Sequence, residues 1–512
     1  MHVAKMITET AAADRASLDA GSCRLVEALQ NPALYDHPVD GFSVIETHIS
    51  WVILTGRFAY KMKKPVNFGF LDFSSLEKRQ YYCHEELRLN RRFAPELYLA
   101  VVTVSGRPDQ PRLDDEGEAI EYLVNPQSEL LDKLAASGRL STEHVDAIAS
   151  LVAAIHARAD PADPGTRYGS AKIIHHWMEE NFAQIFPLLH DRDRAACIDA
   201  LQDWSHLEHD HCRPLMEKRK KDGFIRECHG DLHLGNMAII DEQVTAFDCI
   251  EFNPALRYID VISEAAFVMM DLLDRGLPDY AWQFINHYLQ QTGDYPGVGL
   301  LRYYLVYRAL VRAKVAALQL QQKQAPEQTA GDAWQTFNGY AELAWNLSQD
   351  QRPDLIIMHG LSGSGKSTLA RRLAREYGGF QLRSDVERKR LYGLEAASKS
   401  GSGLDTGIYT ADATTQTYLR LLTLASHIIE AGYPAIVDAS FLDRDWRSKF
   451  RHLAGTLKHR RSGQQTLTAH LRHRFDNAGP FTVGKHPHLP TVRPPTLYRP
   501  AGKPLAALVN LV

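Results

Sequence analysis

Between residues 42 and 64 the chain reads GFSVIETHISWVILTGRFAYKMK. β-Branched and aromatic residues broken by glycine predict two or three antiparallel strands there. From about 75 to 92 the stretch SSLEKRQYYCHEELRLNRR turns to a helical rhythm, and from 141 onward Val145, Ile148, Val152 and Ile155 recur at helical spacing. Helical patterns then run to about 345, interrupted by two short apolar stretches, MAII and VTAF, at 237–240 and 244–247. The polar run NLSQDQRPD at 346–354 precedes a new strand pattern, LIIMHG, and marks the expected domain boundary. Another polar stretch, QLQQKQAPEQTAGD at 319–332, has helical patterns on both sides and reads as a loop inside the first domain.

Composition changes this picture little. A chain of 512 residues exceeds the size at which single cores stop growing, so two or three domains are expected. The apolar share is 45% and the charged share 23%, ordinary globular values, and no run of eighteen apolar residues is present to span a bilayer. The N-terminal stretch MHVAKMITETAAADRASLDA lacks the apolar segment of a secretory signal, and the six cysteines form no C-x-x-C pair. A soluble cytoplasmic protein with free thiols is expected. The net charge of −4 gives no whole-chain argument for nucleic acid or membrane as a partner. His206, His209 and His211, beside Cys212 in HLEHDHC, fit no zinc-finger spacing and read as a solvated helix end.

Chemistry concentrates in two segments. In HGDLHLGN, residues 229–236, Asp231 and Asn236 stand five apart, and Asp248 follows twelve residues later in VTAFDCIEF. The spacing D-x-x-x-x-N with a later Asp after a strand is that of the protein-kinase catalytic loop. Phosphoryl transfer needs a group to accept or orient a hydroxyl proton, the role of Asp231, and oxygen ligands for Mg2+, the roles of Asn236 and Asp248. A lysine must meet the ATP phosphates. FAYK at 58–61 points to Lys61, with Lys63 and Lys64 as alternatives, and the helical CHEELRLN offers Glu86 or the adjacent Glu85 as its partner.

The second segment, GLSGSGKST at 360–368, fits G-x-x-x-x-G-K-[ST], follows the strand LIIM and opens a helix. Gly360, Gly363 and Gly365 let backbone N–H groups approach phosphates, and Ser364 and Thr368 complete the cradle. Lys366 reaches the β/γ oxygens and the Ser367 hydroxyl meets Mg2+. Downstream, Asp385 in FQLRSDVERKR can take a hydroxyl proton or cap the helix it precedes, and Arg388 is the candidate substrate grip. Asp438, closing the strand AIVD, stands at the Walker B position as a further metal ligand.

HGDLHLGN followed by FDCIEFNPALRYID resembles the aminoglycoside phosphotransferase family of kinase-like folds over roughly residues 40–345. The resemblance implies ATP-dependent phosphorylation of a small hydroxylated molecule, with Asp231 as base, Asn236 and Asp248 at the metal, and Asp260 as a structural carboxylate. FDCIEFN departs from the I-D-F of many relatives, which argues against aminoglycosides as acceptors. The second half is similar to small P-loop kinases of the gluconate-kinase and zeta-toxin kind, and the whole chain resembles bacterial proteins that fuse the two. The expected fold is an α+β two-lobed protein-kinase-like domain followed by an α/β P-loop domain with a parallel sheet. The expected divisions are an N-terminal helical segment at 1–38, the kinase-like domain at 39–347, the P-loop core at 348–457 and a tail at 458–512. A bifunctional small-molecule kinase is the leading function. The alternatives are a nucleic-acid end kinase, for which RKR at 388–390 is a hint, or a zeta-like kinase with a regulatory first domain.

The tail is anomalous. Residues 458–512 hold nine Lys and Arg against the single acidic Asp476, and seven of the chain's 24 prolines. The abrupt change after HLAGTL reads as a frame shift that replaces the end of the P-loop domain, or as a basic partner arm.

Overall fold

The computed structural model describes residues 21–461 and 508–511, apart from 48, 57, 69–70, 114–116, 125–128, 190–191, 241, 320–326, 350–352, 397 and 399–406. The chain divides into two compact units, Met1–Leu134 with His229–Arg257, and Ala135–Cys228 with Tyr258–Val512.

In the first unit a helix over 21–28 (α1) precedes the strands β1 (Ser43–Glu46), β2 (Ser50–Leu54), β3 (Ala59–Lys63), β4 (Val101–Arg107), β5 (Gln110–Leu113) and β6 (Ala119–Val124). They form one antiparallel sheet in the order β1-β2-β3-β6-β4-β5. Its core is apolar, with Leu29, Ile53, Met62, Val104 and Leu123 fully buried. Helix α2 (Leu76–Asn90) starts at Ser75, whose hydroxyl accepts from the Lys78 N–H at 3.3 Å. It lies against β6 and buries Cys83, Glu86 and Asn90, which share one face at helical spacing. A carboxylate on a buried face needs a partner. The HGD segment feeds a second antiparallel sheet, β10 (Gln243–Ala246), β9 (Met237–Ile240) and β7 (Glu129–Leu130). Short helices α3 (Leu131–Ala136) and α7 (Pro254–Arg257) follow the strands.

The second unit contains the strand pair β8 (Ile225–Glu227) and β11 (Tyr258–Asp260) and the helices α4 (Thr142–Arg158), α5 (Ala171–Ile185), α6 (Arg192–Lys221), α8 (Val261–Asp274), α9 (Pro278–Thr292), α10 (Val298–Gln319) and α11 (Glu327–Ser348). Asp260 holds the start of α8 by accepting from the Ile262 N–H at 2.9 Å. It also takes Arg219 in a two-pronged pair at 2.8 Å on each prong, while Asp294 takes the other side of the same guanidinium. Asp260, expected as a structural carboxylate bracing the catalytic loop, bonds the start of α8 and Arg219 of α6.

The same unit carries the P-loop half: β12 (Leu355–His359), α12 (Lys366–Tyr377), β13 (Phe380–Arg383), α13 (Ser384–Leu391), α14 (Ala411–Glu430), β14 (Ala435–Asp438), α15 (Arg444–Arg461) and β15 (Leu508–Leu511). The sheet order is β13-β14-β12-β15. The first three strands are parallel and nearly continuous in buried residues, as expected for a parallel sheet covered by helices on its faces. Strand β15 runs antiparallel along the other edge of β12. Helix α15 continues to Arg461, beyond the change of pattern after residue 457, and the basic tail from 462 to 507 lies outside the described residues. The architecture is therefore α+β in its first part and an α/β P-loop domain with a largely parallel sheet in its second. Among the described residues no helix is long and apolar enough to cross a membrane.

Helix α9 docks on the free edge of β13. The Asn286 amide donates to the Gly379 carbonyl at 2.9 Å and accepts from the Gln381 N–H at 2.7 Å. One side chain thus satisfies the donor and acceptor that a neighbouring strand would otherwise take. Around it Trp282 meets Phe380 and Tyr433 edge-on, with ring centroids 5.5 and 6.0 Å away. A Cβ at Gly378 would come within 3.0 Å of the Trp282 indole nitrogen.

Candidate active sites

The first site assembles entirely within the first unit. Lys61 and Lys63, two apart on β3, project to the same side, where Glu86 of α2 receives both. Lys61 Nζ is 2.9 Å from one Glu86 oxygen and Lys63 Nζ is 2.6 Å from the other. Lys61 also bonds Asp248, and Lys63 bonds Glu251. Burial opposes the Lys61 charge, yet Asp248 and Glu86 outweigh it and hold its pKa well above the ordinary lysine value. Burial likewise raises Glu86, but the two lysines win and bring its carboxyl down to about 2. For Glu251 burial prevails over Lys63 and pushes the carboxyl up.

Asp248 is held in a left-handed conformation, φ 63°, which asparagine and aspartate tolerate better than other side chains. Its N–H donates to the Tyr98 hydroxyl at 3.0 Å, and the next N–H, of Cys249, donates to Asn90 Oδ1 at 2.9 Å. Asn90 is anchored through its own donation to the Glu86 carbonyl at 2.9 Å. Burial pushes the Tyr98 hydroxyl far above its usual pKa, so it stays neutral. These bonds place the Asp248 carboxylate against Lys61.

The HGD segment is tied to the same strand. His229 Nε2 meets the Phe247 carbonyl at 2.8 Å, the Ile250 N–H donates to the His229 carbonyl at 3.0 Å, and the Phe247 N–H donates to the Asn236 carbonyl at 3.0 Å. Gly230 has φ 90°, and a Cβ there would lie 2.8 Å from the Leu256 carbonyl oxygen, so only glycine fits between the histidine and the aspartate. The Asn236 amide donates to the Asp231 backbone carbonyl at 2.9 Å and to its carboxylate at 3.0 Å. That fixes the amide's orientation and leaves Oδ1 as an acceptor.

The structure brings Lys61, Glu86 and Asp248 into direct contact and joins Asn236 to Asp231. Glu85 goes elsewhere, to Arg88 at 3.0 Å and to Arg257 at 3.4 Å, and Lys64 pairs with exposed Glu46. Sequence reasoning missed Glu251, Tyr98 and Asn90. For Glu251 a signal existed: an acidic residue three after Asp248 inside an apolar stretch requires a buried cation.

The second site surrounds the P-loop. Gly363 and Gly365 have φ 77° and 83°, and among the described residues nothing lies within 4 Å of a Cβ at either, so backbone conformation demands glycine there. The Gly360 N–H donates to the Ser440 carbonyl at 3.1 Å, pinning the loop to the end of β14. Lys366 folds back on the Leu361 carbonyl and lies 3.4 Å from the Ser364 hydroxyl. Asp438 is 5% exposed and accepts from Gln381 Nε2 at 3.1 Å, while the same amide reaches the Ser367 carbonyl at 3.4 Å. Gln381, which sequence reasoning also missed, therefore joins the two expected metal ligands. Thr368 continues the first turn of α12.

Asp385 lies in the first turn of α13 but makes no cap; Lys389 Nζ is 2.9 Å from it and the Tyr409 hydroxyl 3.5 Å. Arg388 donates to the Ile408 carbonyl at 2.9 Å and the Thr414 hydroxyl at 3.1 Å, which makes it an anchor between α13 and the segment leading into α14. The expected solvated helix end at His206, His209 and His211 needs correcting. All three lie inside the long helix α6, and His209 is 8% exposed because α5 packs over it and its Nε2 meets the Ala171 carbonyl at 3.0 Å.

A family model described as an AAA domain matches residues 355–463. Among solved structures, an ethanolamine kinase of Plasmodium vivax is similar at 11% identity, covering 60% of this chain and 84% of its own, with a TM-score of 0.38. An aminoglycoside phosphotransferase of Alicyclobacillus acidocaldarius is similar at 14% identity, covering 62% and 92%, with a TM-score of 0.37. The uncharacterized protein Rv2004c of Mycobacterium tuberculosis is 31% identical over 428 residues, 82% of each chain, and the uncharacterized protein Mb2027c of Mycobacterium bovis matches to the same extent. This protein belongs to the family of those mycobacterial proteins, and its residues 355–463 match an AAA-domain model.

Proposed function

We propose that the chain is an ATP-dependent phosphotransferase acting on a small hydroxylated molecule, with a kinase-like site and a separate P-loop nucleotide site. The observation that carries this reading is the bridge Glu86–Lys61–Asp248 beside the Asn236–Asp231 pair. A lysine held charged between two carboxylates can exchange one of them for a phosphate oxygen without losing its orientation. Asp231 is positioned by Asn236 and retains an open face, its side chain being 38% exposed, from which to take the proton of an acceptor hydroxyl.

The donor set fits a divalent metal. Asn236 Oδ1 is left as an acceptor and the Asp248 side chain is 43% exposed, giving hard oxygen ligands. Magnesium, when bound with nucleotide, supplies neutralisation of charge on the phosphate oxygens. At the P-loop, Ser367 and Asp438 form the corresponding pair.

The test is transfer from γ-labelled ATP into a metabolite extract, followed by mass spectrometry of the labelled species. With the acceptor in hand, Asp231→Asn is expected to lower turnover by about a hundredfold or more with nucleotide affinity nearly intact. Asp248→Ala should instead weaken metal-dependent nucleotide binding. Full activity in Asp231→Asn would overturn the assignment.

A further inference from the structure

Helices α5 and α6 pack side by side and turn histidines and a glutamate toward one another, outside both nucleotide motifs. His175 and Glu179 stand four apart on α5, hence on one face, and His206 stands on the facing helix. One ligand atom from each lies within 4.8 Å of the others. His206 Nε2 is 2.9 Å from one Glu179 oxygen, and Gln202 donates to the other at 2.8 Å, so both carboxylate oxygens are engaged from α6. The rings of His175 and His206 are 5.5 Å apart, centroid to centroid.

Hydrogen bonding among these residues accounts for His206 and Glu179 but not for His175. Among the described residues its Nδ1 is buried without a hydrogen-bond partner. A buried imidazole nitrogen left unpaired costs on the order of 1–3 kcal/mol, so something else is expected to use it. The His209 ring lies 4.6 Å from it, centroid to centroid and tilted by 35°, with its own Nε2 spent on the Ala171 carbonyl, and so packs against the ring without satisfying it.

We infer that His175, Glu179 and His206 form a binding site for a transition-metal dication of the zinc class. Two imidazoles and one carboxylate, with no thiolate among them, are a donor set for zinc rather than magnesium or calcium. Zinc ligands sit about 2 Å from the ion, so neighbouring donors lie roughly 3.4 Å apart in a tetrahedron. The present separations close to that by small rotations of side chains. His206, with its side chain 47% exposed, leaves the fourth position facing water, while Gln202 orients the carboxylate from behind. The site clips α5 to α6 and shares no residue with either nucleotide site.

Cobalt(II) is the probe, added to the metal-free full-length protein with excess magnesium present to occupy the phosphate sites. One cobalt per chain is expected, with ligand-field bands of a low-coordinate nitrogen and oxygen site, no thiolate charge-transfer band, and displacement by zinc. His175→Ala and His206→Ala should each weaken binding by more than the roughly 10–100-fold that an outer-shell change costs. Gln202→Ala should fall within that range, and His211→Ala, an exposed change on the same helix, should bind as wild type. Circular dichroism of each variant establishes that it is folded. Absence of cobalt binding in the wild type overturns the site, as does undiminished binding in folded His175→Ala and His206→Ala.

Discussion

At the scale of single residues, the unusual feature of the kinase-like site is its second lysine. Lys61 is the residue that contacts Asp248, so Lys61→Ala should abolish transfer while leaving the protein folded. Lys63 is 1% exposed and, among the described residues, bonds carboxylates that are themselves buried, Glu86 and Glu251. Lys63→Ala leaves one lysine to two buried glutamates and is expected to cost about 3–5 kcal/mol in urea unfolding, the range for breaking a buried pair. The two glutamates respond to acid in opposite senses. Glu86 is depressed to about 2 from 4.5, so its contribution is full above pH 4.5 and is lost as pH falls toward 2. Glu251 is raised, so its contribution runs the other way, declining as pH rises past the unfolded value. Melting temperatures followed from neutral pH into the acid range should show a shallower acid loss in Glu86→Gln than in wild type. Parallel slopes in the two proteins would refute the ionised Glu86.

At the scale of elements, Asn286 on α9 does for β13 what another strand would do. Asn286→Ala would leave the Gln381 N–H and the Gly379 carbonyl buried and unpaired, at about 1–3 kcal/mol each. Because the Gln381 side chain also joins Ser367 to Asp438, the same variant should weaken nucleotide binding at the P-loop, a change readable by calorimetric titration. Unaltered affinity in a measurably destabilised variant would separate the two roles. Here the limits of reading a sequence become physical. The P-loop was legible because its chemistry is local: glycines with left-handed φ, a lysine and a hydroxyl within nine residues, between a strand and a helix. The HGD segment was legible for the same reason. Asn286 was not, since an asparagine inside a helix shows no period, and its partners are 93 and 95 residues away. His175 and Glu179 escaped notice likewise, being brought to His206 by helix packing rather than by spacing.

At the scale of the whole molecule, nucleotide binding and folding divide the chain differently. The two motifs share no residue, so calorimetry with an ATP analogue should show two sites per chain, and Lys366→Ala should remove one and leave the other. A single site in the wild type would defeat the two-site reading. Packing follows another boundary. The sequence marks a division at 346–354, yet the second unit runs across it, with helices before the boundary and the P-loop sheet after it in one body. Asn286, Trp282 and Tyr295 come from the helical side, and Gly379, Phe380 and Gln381 from the sheet. A fragment beginning at residue 348 would expose the edge of β13 together with Phe380 and Tyr433, a bare strand edge beside aromatic surface. Such a fragment is expected to aggregate or to melt well below the corresponding transition of the intact chain, even though it contains every residue of the P-loop motif. Restoring the helices from Ala135–Cys228 and Tyr258–Ser348 in trans should recover the lost stability, because they supply Asn286 and Trp282. If the isolated fragment instead unfolds cooperatively at the temperature of the full-length protein, the α9–β13 contact is a passive one, and the boundary at 346–354 is a folding boundary after all.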